Sequence, residues 1–297
     1  MSHSKPVSVL AVVVGALILG ATTSALREID VGSTAAAFWR VALALPVLIL
    51  LTTWDNRCQP DSHPLPDRKH WRLLALAGAF FAGDLVFWHL SLTHTTLGNA
   101  TFLATLSSLW VPLTALCLLK ETLSRHFFLG LICALCGSGI LVSAHLSWDI
   151  ETWAGDAYGL VTGFFFTGYL LAIGRCRDTL STRDTMLYSS GFCALFLLPL
   201  VIATTLVADE PMIPSSLSGW LSVIALGLLA HLLGQGLVAF GVGPLNTSLA
   251  AVILCLEGVG AMAVGALFYS ESRGWLDGCA VMLIVSGIGL AQYKTAN

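Results

Sequence analysis

Ala100-Thr101-Phe102-Leu103-Ala104-Thr105-Leu106-Ser107-Ser108 and Ala250-Ala251-Val252-Ile253-Leu254-Cys255-Leu256-Glu257-Gly258 begin the same pattern twice. Each runs through an apolar stretch to an acidic hinge, Lys120-Glu121 or Ser270-Glu271. Each then enters a glycine-bearing stretch, one ending in Ser138-Gly139-Ile140 and the other in Ser286-Gly287-Ile288. A shift of 150 lays Leu103 on Ile253, Leu106 on Leu256 and Glu121 on Glu271, and a shift of 148 lays Gly130 on Gly278. An internal duplication in an apolar chain points to a membrane transporter, in which repeats build the two faces of a translocation path.

Composition sets the solvent. With 56% hydrophobic residues, 10% charged and a mean hydropathy of +0.84, the chain has far more apolar surface than one soluble core can hide. It belongs in a lipid bilayer, which is its first partner. The net charge of −3 and the lack of a basic run exclude nucleic acid as a partner. Cys117, Cys133, Cys136, Cys193, Cys255 and Cys279 sit in apolar runs and read as small hydrophobes, so neither a metal nor a cofactor is expected. The sequence holds no Gly-x-Ser-x-Gly and no His-Glu-x-x-His, which argues against an enzyme.

Ten apolar segments each approach the roughly 20 residues a helix needs to cross about 30 Å of hydrocarbon. They fall near 7–26, 34–53, 73–92, 97–118, 127–145, 154–174, 185–206, 217–240, 246–269 and 275–292. Two long apolar runs must break, one near His94-Thr95-Thr96-Leu97-Gly98 and one at Gly243-Pro244. The first segment has no small-residue cleavage site after it and is expected to be a retained helix. With the N-terminus in the cytoplasm, ten crossings place Lys5, Arg57, Arg68, Lys69, Arg72, Lys120, Arg125, Arg175, Arg177, Arg183 and Lys294 inside. Only Arg27 and Arg273 fall outside, and Arg40 stays within the membrane. A missed or invented helix would scramble that bias, so the expected location is the cell inner (plasma) membrane, multi-pass, with cytoplasmic N- and C-termini.

Five helices per repeat is an odd number, so the second copy enters from the opposite side. The expected fold is an all-α integral membrane protein: ten transmembrane helices as two inverted five-helix repeats, residues 1–145 and 154–293. Inversion lets one pattern supply two mirror-related states around a site near the midplane, which is the basis of alternating access.

With Phe38-Trp39-Arg40 in the second helix and an acid closing helices 4 and 9 before a glycine-rich helix, the 5+5 chain resembles the drug/metabolite transporter superfamily, EamA-type. The resemblance covers nearly the whole chain. Gly83-Asp84-Leu85-Val86-Phe87-Trp88-His89 and His231-Leu232-Leu233-Gly234-Gln235-Gly236 resemble a subset of that group. It implies a secondary active transporter that exports a small molecule, with protons as a candidate coupling partner. Leu106-Ser107-Ser108 and Leu256-Glu257-Gly258 depart from the group's pattern by lacking a proline.

The candidate chemistry is the polar residues inside the spans. Arg40, Asp84 and Glu257 would each cost roughly 2.5–3.5 kcal/mol at mid-depth if unpaired, so each should face a partner or a water-filled cavity. One arginine neutralises one carboxylate and leaves a second that can carry a proton. Asp84 shares a helical face with Trp88 and Ser91, whereas His89 sits some 140° away and reads as a packing residue. Glu257 falls on the repeat-equivalent Ser107, and His231 and Gln235 lie four apart on one face. Trp110 joins Trp88 as an aromatic candidate for the substrate path. Glu121 and Glu271 read as gates or structural caps, with a structural role favoured. Gly159-x-x-x-Gly163 reads as intramolecular packing.

One arginine is too few for highly anionic cargo, while a zwitterion or neutral metabolite, such as an amino acid, suits one arginine, two acids and several aromatics. Two alternatives stand: a multidrug or hydrophobic-cation efflux carrier, and a non-transporting membrane sensor or scaffold. The oligomeric state is not encoded in any motif here.

Overall fold

A bilayer offers no water to backbone amides, so a crossing segment must close its own hydrogen bonds, as a helix does. The computed structural model describes residues 4–58, 66–143, 152–268 and 274–293, and each expected crossing is helical. The spans are α1 (Lys5–Leu26), α2 (Ser33–Trp54), α3 (Arg68–His94), α4 (Leu97–Leu118), α5 (Arg125–Val142), α6 (Trp153–Arg177), α7 (Thr182–Val207), α8 (Leu217–Val242), α9 (Thr247–Phe268) and α10 (Trp275–Gln292). Glu271 lies outside the described residues.

Short polar residues start several of these helices by accepting from first-turn amides. Asp67 accepts from His70 at 2.8 Å, Ser124 from Phe127 at 3.2 Å, Ser181 from Asp184 at 3.1 Å and Asn246 from Ser248 at 2.7 Å. Both long apolar runs break where expected: α3 gives way to α4 at Thr95-Thr96, and α8 to α9 at Gly243–Asn246.

The packing repeats itself under inversion. α1 lies against α8 and α9, and α6 lies against α3 and α4. α3 also packs on α7 as α8 packs on α2, while α5 meets α10 and α4 meets α9 across the pseudo-two-fold axis. Small residues set the closest approaches. A Cβ on Gly130 would meet the Gly287 carbonyl at 2.3 Å, and one on Gly287 would meet the Gly130 carbonyl at 2.5 Å, so α5 and α10 touch backbone to backbone. Gly159 and Gly163 face Leu103 and the α4 backbone, an intramolecular contact as expected.

α4 and α9 each lose regular winding at mid-span with no proline at the break itself, although Pro112 follows six residues further along α4. α4 breaks at Leu106, and α9 tightens to a 3-10 turn over Leu254–Leu256, so the two irregularities coincide under the shift of 150. They cross where the Ser108 hydroxyl donates to the Ala251 carbonyl at 2.6 Å. α8 departs from α-winding too: Ala225–Gln235 is a π-helix.

Candidate functional site

A cavity of about 80 Å³ opens beside the crossing of α4 and α9. At roughly 10–15 Å³ per water on this measure, it holds several waters. α2 contributes Arg40, α3 Phe81, Asp84 and Trp88, α4 Ser107 and Ser108, α8 Gln235, and α9 Glu257. The cavity continues past Thr23, Thr101, Thr105, Thr162 and Ala261, toward the end of the bundle where α1, α3 and α9 finish and α4 and α6 start. Thr23, Trp88, Thr101 and Thr105 are half-buried there, whereas Ser108, Gln235, Ala251 and Ile253 are buried below.

Local packing fixes the three charged groups. Gly20 of α1 and Gly260 of α9 have no side chains because the backbones touch. A Cβ on Gly20 would stand 1.8 Å from the Glu257 carbonyl oxygen, and one on Gly260 would stand 2.2 Å from that of Leu17. This contact sets Glu257 on the cavity wall. Arg40 lies over two rings, with Cζ 6.0 Å from the centroid of Phe81 and 5.8 Å from that of Trp88, a cation–π arrangement. Its electrostatic partners are Asp84 first and Glu257 second. No ion pair within 4.0 Å joins these groups among the described residues. The Nε of Arg40 and the Nε2 of Gln235 are buried donors without a hydrogen-bond partner. Two unspent donors and two carboxylates around water-sized space form a site that can take polar groups of either sign.

Of the residues singled out from sequence, Arg40, Asp84, Trp88, Ser107, Gln235 and Glu257 meet in this cavity. Three do not line it. Trp110 is 41% exposed on the outer surface of the bundle and faces the surroundings rather than the cavity. His89 is buried and its Nδ1 is 2.7 Å from the Leu85 carbonyl on its own helix, in keeping with packing. His231 is drawn away from Gln235: its Nε2 is 2.8 Å from the Ser190 hydroxyl of α7, and its ring stacks on Phe81 at 5.2 Å. His231 thus spends its ring on α3 and α7, while Gln235, four residues on along the π-wound stretch, lines the cavity. Glu121 accepts from the Ser248 hydroxyl at 3.1 Å, tying the end of α4 to the start of α9.

Sequence reasoning missed Phe81, Thr101, Thr105, Ser108, Thr162 and Phe166 as cavity residues. Thr101, Thr105 and Ser108 carried a usable signal, since i, i+4 and i+7 form one polar stripe on α4. The aromatics carried none.

The described geometry fits a strong match in sequence. Residues 6–143 and 153–292 each match the EamA-like transporter family, one copy per repeat. The chain belongs to this family. It is therefore a multi-pass membrane protein of a transporter family. It is 24% identical over 223 residues to the pseudopaline exporter CntI of Pseudomonas aeruginosa strain PAO1, covering 75% of each chain. The corresponding protein of strain UCBPP-PA14 is 25% identical over the same length. A solved crystal structure of a protein 19% identical superposes with a TM-score of 0.79 over 97% of both chains, a likeness of fold.

Within this EamA architecture the site is asymmetric. The repeat lays Ser107 on Glu257, and a shift of 151 lays Gly83-Asp84 on Gly234-Gln235. All four polar side chains line one cavity, so at each symmetric pair one repeat presents an acid and the other a neutral partner.

Proposed function

We propose that this protein exports a small polar metabolite, such as an amino acid, by alternating access between its two repeats. The carrying observation is the cavity at the helix breaks, where Arg40, Asp84 and Glu257 share a space with Trp88, Phe81 and Phe166. A zwitterion places its carboxylate at the arginine, its ammonium at an acid and its apolar part on the rings. Similarity to pseudopaline exporters supports the outward direction. We place the protein in the inner (plasma) membrane with both termini in the cytoplasm, in keeping with the lysine and arginine bias. The cavity then faces away from the cytoplasm, the state that releases cargo.

Protons are the proposed coupling ion, since one arginine against two carboxylates leaves an acid free to exchange a proton during the cycle. Phe81, Trp88 and Phe166 with two acids also suit a hydrophobic cation, the second reading; the unpaired Arg40 donor weighs against it. The test is an untargeted comparison of metabolites inside and outside cells with and without the gene, followed by counterflow in vesicles. An intracellular compound that accumulates on deletion and exchanges in vesicles supports export. No such compound, or flux indifferent to substitution of Arg40, Asp84 and Glu257 together, overturns it, and indifference to a pH gradient removes the proton.

A further inference from the structure

The cavity opens toward one end, so the other end needs something to hold it shut. Below Ser108 and Gln235, Val111, Leu170, Val242, Leu249, Ala250 and Ile253 belong to one buried apolar cluster, a plug that closes the space. The plug is a seam between two groups of helices, α3, α4 and α6 on one side and α1, α8 and α9 on the other. Three contacts pin it. Glu121 accepts from Ser248. Gly174 of α6 abuts α9, since a Cβ there would stand 2.6 Å from the Thr247 hydroxyl oxygen. The third is Arg177, at the last position of α6. Its Nε donates to the Ala239 carbonyl of α8 at 3.0 Å, and its Nη1 donates to the Leu180 carbonyl.

The last contact is matched to its acceptor. Ala239 lies in the final turn of α8, where the last four carbonyls lack partners within the helix and the dipole leaves partial negative charge. Gly243-Pro244 ends that helix, and proline brings no N–H to continue the ladder. Gly243 also leaves the room: a Cβ there would lie 2.9 Å from the Arg177 Nη2. A guanidinium holds five N–H donors in a fixed planar fork and so spans two separate carbonyls with little loss of freedom, whereas an ammonium has three donors on a flexible stem.

We propose that Arg177 is the latch of the closed end: its guanidinium holds the last turn of α8 against the end of α6 and keeps the plug sealed. A switch of access requires this latch to open, and that part alone rests on the alternating-access reading. The sequence gives the first repeat the same group, because the residue 150 positions earlier is Arg27, followed by Glu28 as Arg177 is followed by Asp178. Inversion therefore equips each end of the bundle with an arginine of its own.

The test needs no cargo. In a cysteine-free background, Ala250→Cys reports the closed end and Thr105→Cys reports the open cavity. Each is labelled with a membrane-impermeant thiol reagent applied to either face of oriented vesicles. The parent should label at 105 from one face and only slowly at 250. Arg177→Gln should raise labelling at 250 from the opposite face tenfold or more and lower it at 105, and Arg177→Lys should do so to a smaller extent. Because lysine keeps the charge and the stem, it preserves the test if the glutamine variant folds poorly. Labelling unchanged in the lysine variant and in any folded glutamine variant overturns the latch. So does a rise at both positions from both faces, the mark of a residue that only stabilises the fold. Failure of export assays leaves the labelling result intact, so the two readings fail separately.

Discussion

Arg40 is outnumbered by carboxylates, and its position between Asp84, Glu257 and two aromatic faces makes the charges interdependent. Removing either acid leaves Arg40 facing a single carboxylate and takes away the surplus acid, in a place where every charge is costly. Asp84→Asn and Glu257→Gln should each lower transport by about 10- to 100-fold at normal expression, the loss of one charge-assisted hydrogen bond to the proposed cargo, about 1.5–3 kcal/mol. Flux in vesicles measures this, and parental flux in both variants would remove the acids from the mechanism. Trp110→Ala is the contrast. Its ring lies outside the cavity and 41% exposed, so transport and surface expression should stay near parental values. Which tryptophan lines the cavity was not legible, because in a bilayer both the lipid face and the cavity accept an aromatic ring. The charges were legible for the opposite reason: lipid rejects them, so Arg40, Asp84 and Glu257 had to point inward.

At the scale of helices, the ten spans were readable because each must be long, apolar and bounded by polar caps, and loop charge fixed their number. The irregular winding was not readable. Nothing in Leu106 or in Leu254-Cys255-Leu256 announces a break, and nothing in Ala225–Gln235 announces a π-stretch. Glycine is the informative residue at this level, and the close approach of α1 to α9 gives a graded prediction. Gly20→Ala would drive a Cβ into the Glu257 carbonyl, an overpacking cost of about 1–3 kcal/mol. The variant should melt at a lower temperature in detergent, and displacement of Glu257 should depress transport along with it. Gly236→Ala is the control, since a Cβ there meets nothing within 4 Å. Equal melting temperatures for the two variants would refute the packing role of Gly20.

For the whole molecule, inversion predicts that clasps come in pairs, one at each end, and the described loops have them. At one end the His70 Nε2 is 2.6 Å from the Thr179 hydroxyl, joining the start of α3 to the α6–α7 turn. At the end toward which the cavity opens, Asp30 Oδ2 accepts from the Ser216 amide at 2.8 Å and from the Ser215 amide and hydroxyl at 3.1 and 2.9 Å, joining the α1–α2 loop to the α7–α8 loop. Thr34 and Thr204 meet at 2.6 Å nearby, and the Trp39 indole donates to the Met212 carbonyl at 2.8 Å. These bonds keep α2 and α7 together where the cavity is open, so the proposed change of access would part the groups beside them. Asp30 gives this clasp a pH dependence of known sign. Hydrogen bonds from Ser216 chiefly, and from Ser215, hold its carboxyl below the usual carboxylate range. A lowered value in the folded state means stabilisation present above the ordinary aspartate pKa, about 3.9, and lost as pH falls through the folded value. The melting temperature should therefore be insensitive to this group from neutral pH down to about 4 and should acquire an acid-dependent fall below it. Asp30→Asn removes the titrating group, so the variant should start lower at neutral pH and lack that part of the fall. Parallel acid profiles for parent and variant would show that the clasp carries no charge-dependent stability, and the loops would then be held by uncharged bonds such as Gly32 N–H to the Pro211 carbonyl at 2.9 Å, Thr34–Thr204 and Trp39–Met212.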